Sequence, residues 1–290
     1  MWGSAYPAIK NGYALLLIAP NDIPGKMLFA GYRFLVAGML LLLWLAFTRP
    51  ESLRLTWRRL GDVTTLGLTQ TSIQYVFFYT GLAYTTGVKG SILNATQTFF
   101  SVLMAHFIYQ NDRLNLKKSM GCLIGFVGVM VVSFKPGQLD YFSFTLLGDG
   151  FVVLSAFMLS ACMIYGRKLS QKMDSVVMTG YQLTIGGAVL VVAGYVVGGA
   201  LSAFDWKSMA LLLYLALLSS VAFALWAILL KYNRVGMVSI FNFLIPVFGA
   251  VLSAVFLGEK ILEWKNMLAL LLVCGGIWMV TRDTSTPKAV

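Results

Sequence analysis

Ten apolar runs of about 17–24 residues, parted by short polar breaks, follow one another along this 290-residue chain. A helix rises about 1.5 Å per residue, so runs of that length match a hydrocarbon layer about 30 Å thick. They lie near 2–19, 26–47, 62–84, 88–109, 118–134, 147–166, 176–198, 208–231, 236–257 and 264–280. Each is about twice the length of a barrel strand and lacks polar–apolar alternation, which excludes a transmembrane barrel. No connection exceeds about 15 residues, so no soluble domain is inserted. With 59% of residues hydrophobic and 11% charged, the solvent must be lipid. The predicted fold class is an all-α polytopic membrane protein with ten transmembrane helices.

Charge orients the helices. Alternate connections carry fourteen basic residues on one side (Arg49, Arg54, Arg58, Arg59, Arg113, Lys117, Lys118, Arg167, Lys168, Lys172, Lys231, Arg234, Arg282, Lys288) and six on the other (Lys26, Lys89, Lys135, Lys207, Lys260, Lys265). The richer set is predicted to be cytoplasmic and, with an even helix count, so are both termini. The setting expected from this is the plasma or inner membrane. The net charge of +11 does not mark a nucleic-acid binder, because the cations are spread over short loops and not gathered on one face. Cys122, Cys162 and Cys274 fall in apolar runs without ligand spacing and read as small buried hydrophobes. Neither a metal nor a cofactor is predicted. No cleavable leader is visible in MWGSAYPAIK, and the first run barely spans, so native residues are expected to precede Met1.

The chain also repeats itself. Shifted by 148, residues 93–132 lie without gaps on 241–280, pairing Asn94 with Asn242, Leu114 with Leu262, Lys117 with Lys265 and Gly128 with Gly276. Shifted by 149, GYRFLVAG (31–38) lies on GYQLTIGG (180–187). Each copy holds five helices, an odd number, so the second must enter the membrane from the opposite face. Two inverted-topology repeats are predicted, over 1–136 and 145–282, with a cytoplasmic tail at 283–290.

WGSAYPAIK in the first run, GYRF in the second, PVFGAVLSAVFLGEKI in the ninth and a glycine-bearing last run resemble the drug/metabolite transporter superfamily, and within it the ten-helix permeases with two EamA repeats. The resemblance covers essentially the whole chain. It departs at two places: the family's Glu at the end of the fourth and ninth helices is matched by Glu259 but by Asn111 in the first copy, and the glycine ten residues on is Gly121 in one copy and Ala269 in the other. The resemblance implies movement of small metabolites, amino acids or nucleoside-like compounds, commonly outward, with protons as a coupling ion in some members. No residue here compels proton coupling.

Polar residues inside the runs are the candidates for substrate contact. None of the eleven acids lies mid-span, which disfavours a pump for hydrophobic cations and favours a neutral, zwitterionic or anionic cargo. Lys10 and Arg33 do fall inside spans, where each costs about 2.5–3.5 kcal/mol. Arg33 either faces a cavity or, about seven residues and about 10 Å from the predicted helix start, snorkels to the headgroups. Lys10 shares a face with Trp2, Tyr6 and Tyr13, as a wet aromatic stripe or an interfacial belt. The third run carries Gln70 and Gln74 one turn apart, then Phe78. The fourth carries Asn94, Gln97 and Ser101, and the ninth Asn242, Pro246, Gly249 and Ser253. Such amides serve either as interhelical glue worth about 0.6 kcal/mol or as a lining for substrate. Pro246 frees the carbonyl of Asn242 one turn earlier, which irregular backbone beside a cavity tolerates. Tyr181 and Trp226 are read as cavity walls. His106 is read as a packing residue, and Gly121, Gly125 and Gly128 as close helix packing.

One histidine, no mid-span acid and scattered cysteines leave nothing for an intramembrane enzyme to use. The reading is a secondary-active exporter of a small polar metabolite (an amino acid or related neutral or zwitterionic compound) working by alternating access. The alternative is a facilitative channel or uniporter. The partners expected are that small-molecule substrate and the lipid bilayer, with no nucleic acid, in a monomer or weak dimer.

Overall fold

The computed structural model describes residues 1–108, 115–133, 144–201, 205–232, 244–259 and 263–282. Among these, helices account for the regular structure: α1 Trp2–Leu15, α2 Ile23–Thr48, α3 Trp57–Leu66, α4 Gln74–Tyr84, α5 Gly87–Asn94, α6 Thr96–Ile108, α7 Leu116–Ser133, α8 Phe151–Ser170, α9 Ser175–Val196, α10 Trp206–Tyr232, α11 Leu244–Leu257 and α12 Trp264–Arg282. Four stretches are each long and apolar enough to cross a membrane unaided: Ile23–Thr48, Leu146–Ser170, Ser175–Val196 and Trp206–Tyr232. Two expected spans are interrupted. The third is α3 and α4 joined through a π turn, Gly67–Ile73, and the fourth breaks at Ala95 into α5 and α6. Membrane solvation shows in the surface: Phe47, Val196 and Val255 are exposed, and Trp57, Trp206 and Trp264 stand exposed at helix starts, as interfacial anchors do.

The acids explain where helices begin. Asp22 accepts from Gly25 N, and Asp174 from Val176 N and Val177 N. Asp205 and Ser208 cap α10 reciprocally. Each carboxylate satisfies amides that helix geometry leaves open and meets the positive end of the dipole.

The chain forms two compact units, each drawing helices from both halves of the sequence. The first comprises Met1, Ala8–Thr80 and Cys162–Tyr232. Its centre is the seam of α2 against α9. A Cβ on Gly31 would lie 3.0 Å from Gly187 O, and one on Gly38 would lie 2.8 Å from Gly180 O. Numbers rise along one helix as they fall along the other, so the two run antiparallel. The match is reciprocal: Gly31 and Gly180 are repeat mates at offset 149, as are Gly38 and Gly187, and each meets the other pair's partner.

The second unit comprises Trp2–Pro7, Gly81–Ala161 and Asn233–Val290. Its seam, α7 against α12, repeats the device. A Cβ on Gly121 would lie 2.8 Å from Gly276 O and one on Gly128 2.9 Å from Ala269 O, again crosswise between repeat mates, here at offset 148. Gly258, at φ +65°, ends α11 in the left-handed region and turns Glu259 back. Its two oxygens accept from Gly87 N and Val88 N, both at 2.8 Å, capping α5. Glu259→Ala is expected to cost about 1–2 kcal/mol, seen as a lower melting temperature of the detergent-purified protein. An unchanged melting curve contradicts the capping role.

Candidate functional site

Polar side chains concentrate in the interior of the first unit. Arg33 stands ten residues into α2, about 15 Å along its axis. It is 2% exposed. The helix starts earlier than the sequence reading placed it, so Arg33 is mid-helix and buried, and the headgroup alternative falls away. Its Nε donates to Ser219 Oγ at 2.8 Å and Nη1 to the Tyr79 hydroxyl at 2.9 Å, with the guanidinium carbon 5.0 Å from the Phe34 ring centre. The Ser219 hydroxyl in turn donates to Leu215 O. Around this group, the Tyr13, Phe29, Tyr75, Phe78 and Tyr79 rings meet edge to face at 5.8–6.2 Å, and Tyr13 OH donates to Tyr79 O. Aromatic edges on ring faces make a dense packing that leaves little room beside the guanidinium.

The repeat places a second polar contact at the corresponding point. Adding 149 to Arg33 gives Gln182, and subtracting 148 from Ser219 gives Thr71. Gln182 Nε2 lies 3.5 Å from Thr71 Oγ1, at the outer limit of a hydrogen bond. Here the packing is open. A cavity of about 40 Å³ is walled by Gln70, Arg167, Ser170, Thr179, Gln182, Phe223 and Trp226, among others. That is room for roughly three water molecules. Gln70, Thr71 and Ser72 all belong to the π turn, and Ser72 Oγ donates to Gly186 O at 2.9 Å. A π turn widens the helix by one residue and breaks the regular hydrogen-bond ladder, a distortion often found at functional sites. Next to it, Gln74 is 1% exposed, and its Oε1 has no partner among the described residues. Left so, a buried amide oxygen costs about 1–3 kcal/mol.

The structure thus brings Gln70 and Trp226 to one cavity and puts Arg33, Gln74 and Phe78 in the same unit. Tyr181 does not line that cavity: its hydroxyl donates to Leu53 O at 2.9 Å. Lys10 is half-buried on the part of α1 in this unit. The other candidates belong to the second unit. Tyr6 packs where a Cβ on Gly249 would lie, Pro246 O accepts weakly from Ser91, and Gln97 O accepts from Ser160 Oγ. Asn94 is the last residue of α5, at the helix break, and its Oδ1 is buried without a partner among the described residues. Asn242 lies outside the described residues.

Sequence reasoning missed Ser219, Tyr79, Thr71 and Gln182. The signal for Gln182 was present in the repeat, which laid it on Arg33.

Known proteins agree with this architecture. The model of the EamA-like transporter family matches residues 1–134 and 146–282. An uncharacterized transporter of Archaeoglobus fulgidus is 28% identical over 97% of this chain and 93% of its own. The uncharacterized transporter YvbV of Bacillus subtilis is 28% identical over the whole chain and 90% of its own. A probable amino-acid metabolite efflux pump of Salmonella typhimurium is 23% identical over 95% of this chain and 89% of its own. A solved crystal structure superposes with a TM-score of 0.70 over 98% of this chain and 96% of that one, at 17% identity, which speaks to the fold. Two family matches that together span nearly the whole chain carry the conclusion that this polytopic membrane protein belongs to the EamA-like transporter family.

Proposed function

We propose that the protein is a secondary-active carrier of a small polar metabolite, an amino acid or a related zwitterionic compound, working as an exporter by alternating access. The observation that carries this reading is the cavity walled by the amides of Gln70 and Gln182, the hydroxyl of Thr179 and the Trp226 ring. The amides and the hydroxyl offer a polar solute donors and acceptors, and Arg167 adds one positive charge to the lining. With room for about three waters, the cavity takes a solute larger than the smallest amino acids only if the helices around it part.

The crosswise, antiparallel glycine seams support repeats of inverted topology over 1–136 and 145–282. Two copies related by a twofold axis in the membrane plane meet in that reciprocal way. Rocking of the two halves would then open the pathway to each face in turn. The charge bias of the loops supports cytoplasmic termini in a plasma or inner membrane, and the efflux pump among the relatives supports amino-acid cargo.

The test is counterflow in proteoliposomes loaded with unlabelled amino acids and given labelled ones outside, with and without a pH gradient. Saturable exchange is expected, with Gln182→Leu and Gln70→Leu each lowering it about tenfold, the cost of one lost buried hydrogen-bond partner. Flux that never saturates would instead indicate a channel. Wild-type exchange in both variants would remove the cavity from the pathway.

A further inference from the structure

The Arg33 guanidinium has no counter-ion among the described residues. Among the described residues the ion pairs lie elsewhere, Arg49 with Asp174, Lys89 with Asp149 and Lys265 with Glu263, and no carboxylate comes within 4 Å of Arg33. Its two partners, the Ser219 and Tyr79 hydroxyls, fix its direction without neutralising it. They engage one hydrogen on Nε and one on Nη1. Nη2 makes no hydrogen bond among the described residues, and a guanidinium can offer two parallel N–H donors to both oxygens of a carboxylate.

The fold itself does not call for a cation at this point. At the corresponding position of the second copy stands Gln182, whose neutral amide faces Thr71 as Arg33 faces Ser219. One copy manages without charge; the other keeps it buried at a depth where an isolated cation is costly.

Access follows from the same correspondence. Tyr75 and Phe78 are the repeat mates, at offset 148, of Phe223 and Trp226. Phe223 and Trp226 border the cavity, whereas Tyr75 packs edge to face on Phe78 and on Tyr79, the residue that accepts from Arg33. If the copies exchange roles as a carrier turns over, the aromatic packing on the Arg33 side parts while the Gln182 side closes.

We propose that Arg33 is the site that takes the carboxylate of the transported metabolite, with Ser219 and Tyr79 as its positioning residues, so that the cargo is an acid. This rests on the carrier reading above, assigns the group that takes the cargo's carboxylate, and sets simple organic acids beside amino acids as cargo. A neutral solute would leave the guanidinium uncompensated.

The experiment uses the full chain, purified in detergent for thermal shift and reconstituted for counterflow. The probes are a panel of L-amino acids, lactate and succinate, together with the methyl ester and amide of each. The variants are Arg33→Gln, which reproduces the side chain the fold already accepts at the corresponding position, and Arg33→Lys. At least one acid is expected to raise the wild-type melting temperature. Its ester and amide should bind on the order of tenfold or more weakly, the usual weight of a charge-assisted bidentate pair. Arg33→Gln should fold, lose that preference and bind acid and amide alike, while Arg33→Lys recovers part of it. Amino-acid and organic-acid arms tell the two carboxylate sources apart. Saturable exchange that treats acid and ester equally, or survives Arg33→Gln with unchanged affinity for the acid, overturns the assignment and leaves the carrier intact. Absence of saturable exchange with every solute overturns the carrier reading and the assignment with it.

Discussion

Asp149→Ala is expected to destabilise the protein by about 3–5 kcal/mol, the usual result of breaking a buried ion pair from one side. The carboxylate is 1% exposed and Lys89 only 14%. Asp149 Oδ2 lies 2.6 Å from Lys89 Nζ and accepts from Thr145 N at 2.9 Å, while Oδ1 accepts from Thr85 Oγ1 at 3.1 Å. One side chain therefore ties the start of α8 to the start of α5, and its removal takes the carboxylate from the Lys89 ammonium and the acceptor from the Thr145 amide. Removing both charges as Asp149→Leu with Lys89→Met should recover most of the loss, because two apolar side chains leave no ion behind. Chemical unfolding followed by tryptophan fluorescence gives all three values. A single variant within about 0.5 kcal/mol of wild type would mean that water already solvates the pair.

Two neighbouring glycines should behave in opposite ways. A Cβ on Gly276 would lie 2.5 Å from Gly121 O and 2.9 Å from Gly125 N. Both are backbone atoms, so α7 and α12 must separate along the seam, and Gly276→Ala is expected to cost about 1–3 kcal/mol. One residue earlier, a Cβ on Gly275 would meet nothing within 4 Å. Gly275→Ala should leave stability unchanged or raise it by about 0.5–1 kcal/mol, since alanine restricts the unfolded chain. Equal effects at the two positions would show that the seam is looser than its geometry implies.

Much of the architecture was legible because hydropathy and repetition are properties of the chain alone. The run lengths gave the helices, and GYRFLVAG laid on GYQLTIGG marked the very residues that form the α2–α9 seam. What stayed hidden depends on partners. The break at Ala95 follows no proline or glycine, and the π turn at Gly67–Ile73 lies in polar but otherwise ordinary helical sequence. Asp149 reads as a loop acid at the edge of an apolar run. Only folding reveals that Lys89 and two threonines gather around it. The depth of Arg33 is underestimated from the sequence because α2, capped by Asp22, begins three residues before the apolar run. Tyr79 looked like one aromatic among many in a chain rich in them. A hydroxyl among rings becomes informative once its partner, here a guanidinium from another helix, is known.

The crossed glycine pairs also explain why the two halves have drifted unequally. Gly121 has become Ala269 in the second copy, and that extra methyl is tolerated because the residue opposite, Gly128, has remained bare and rests on the Ala269 carbonyl. A Cβ on Gly128 would lie 2.9 Å from the Ala269 carbonyl, so the methyl carried by one helix keeps the facing position bare. Divergence after duplication is thereby rationed: at this crossing, freedom gained by one half of the gene is withdrawn from its twin.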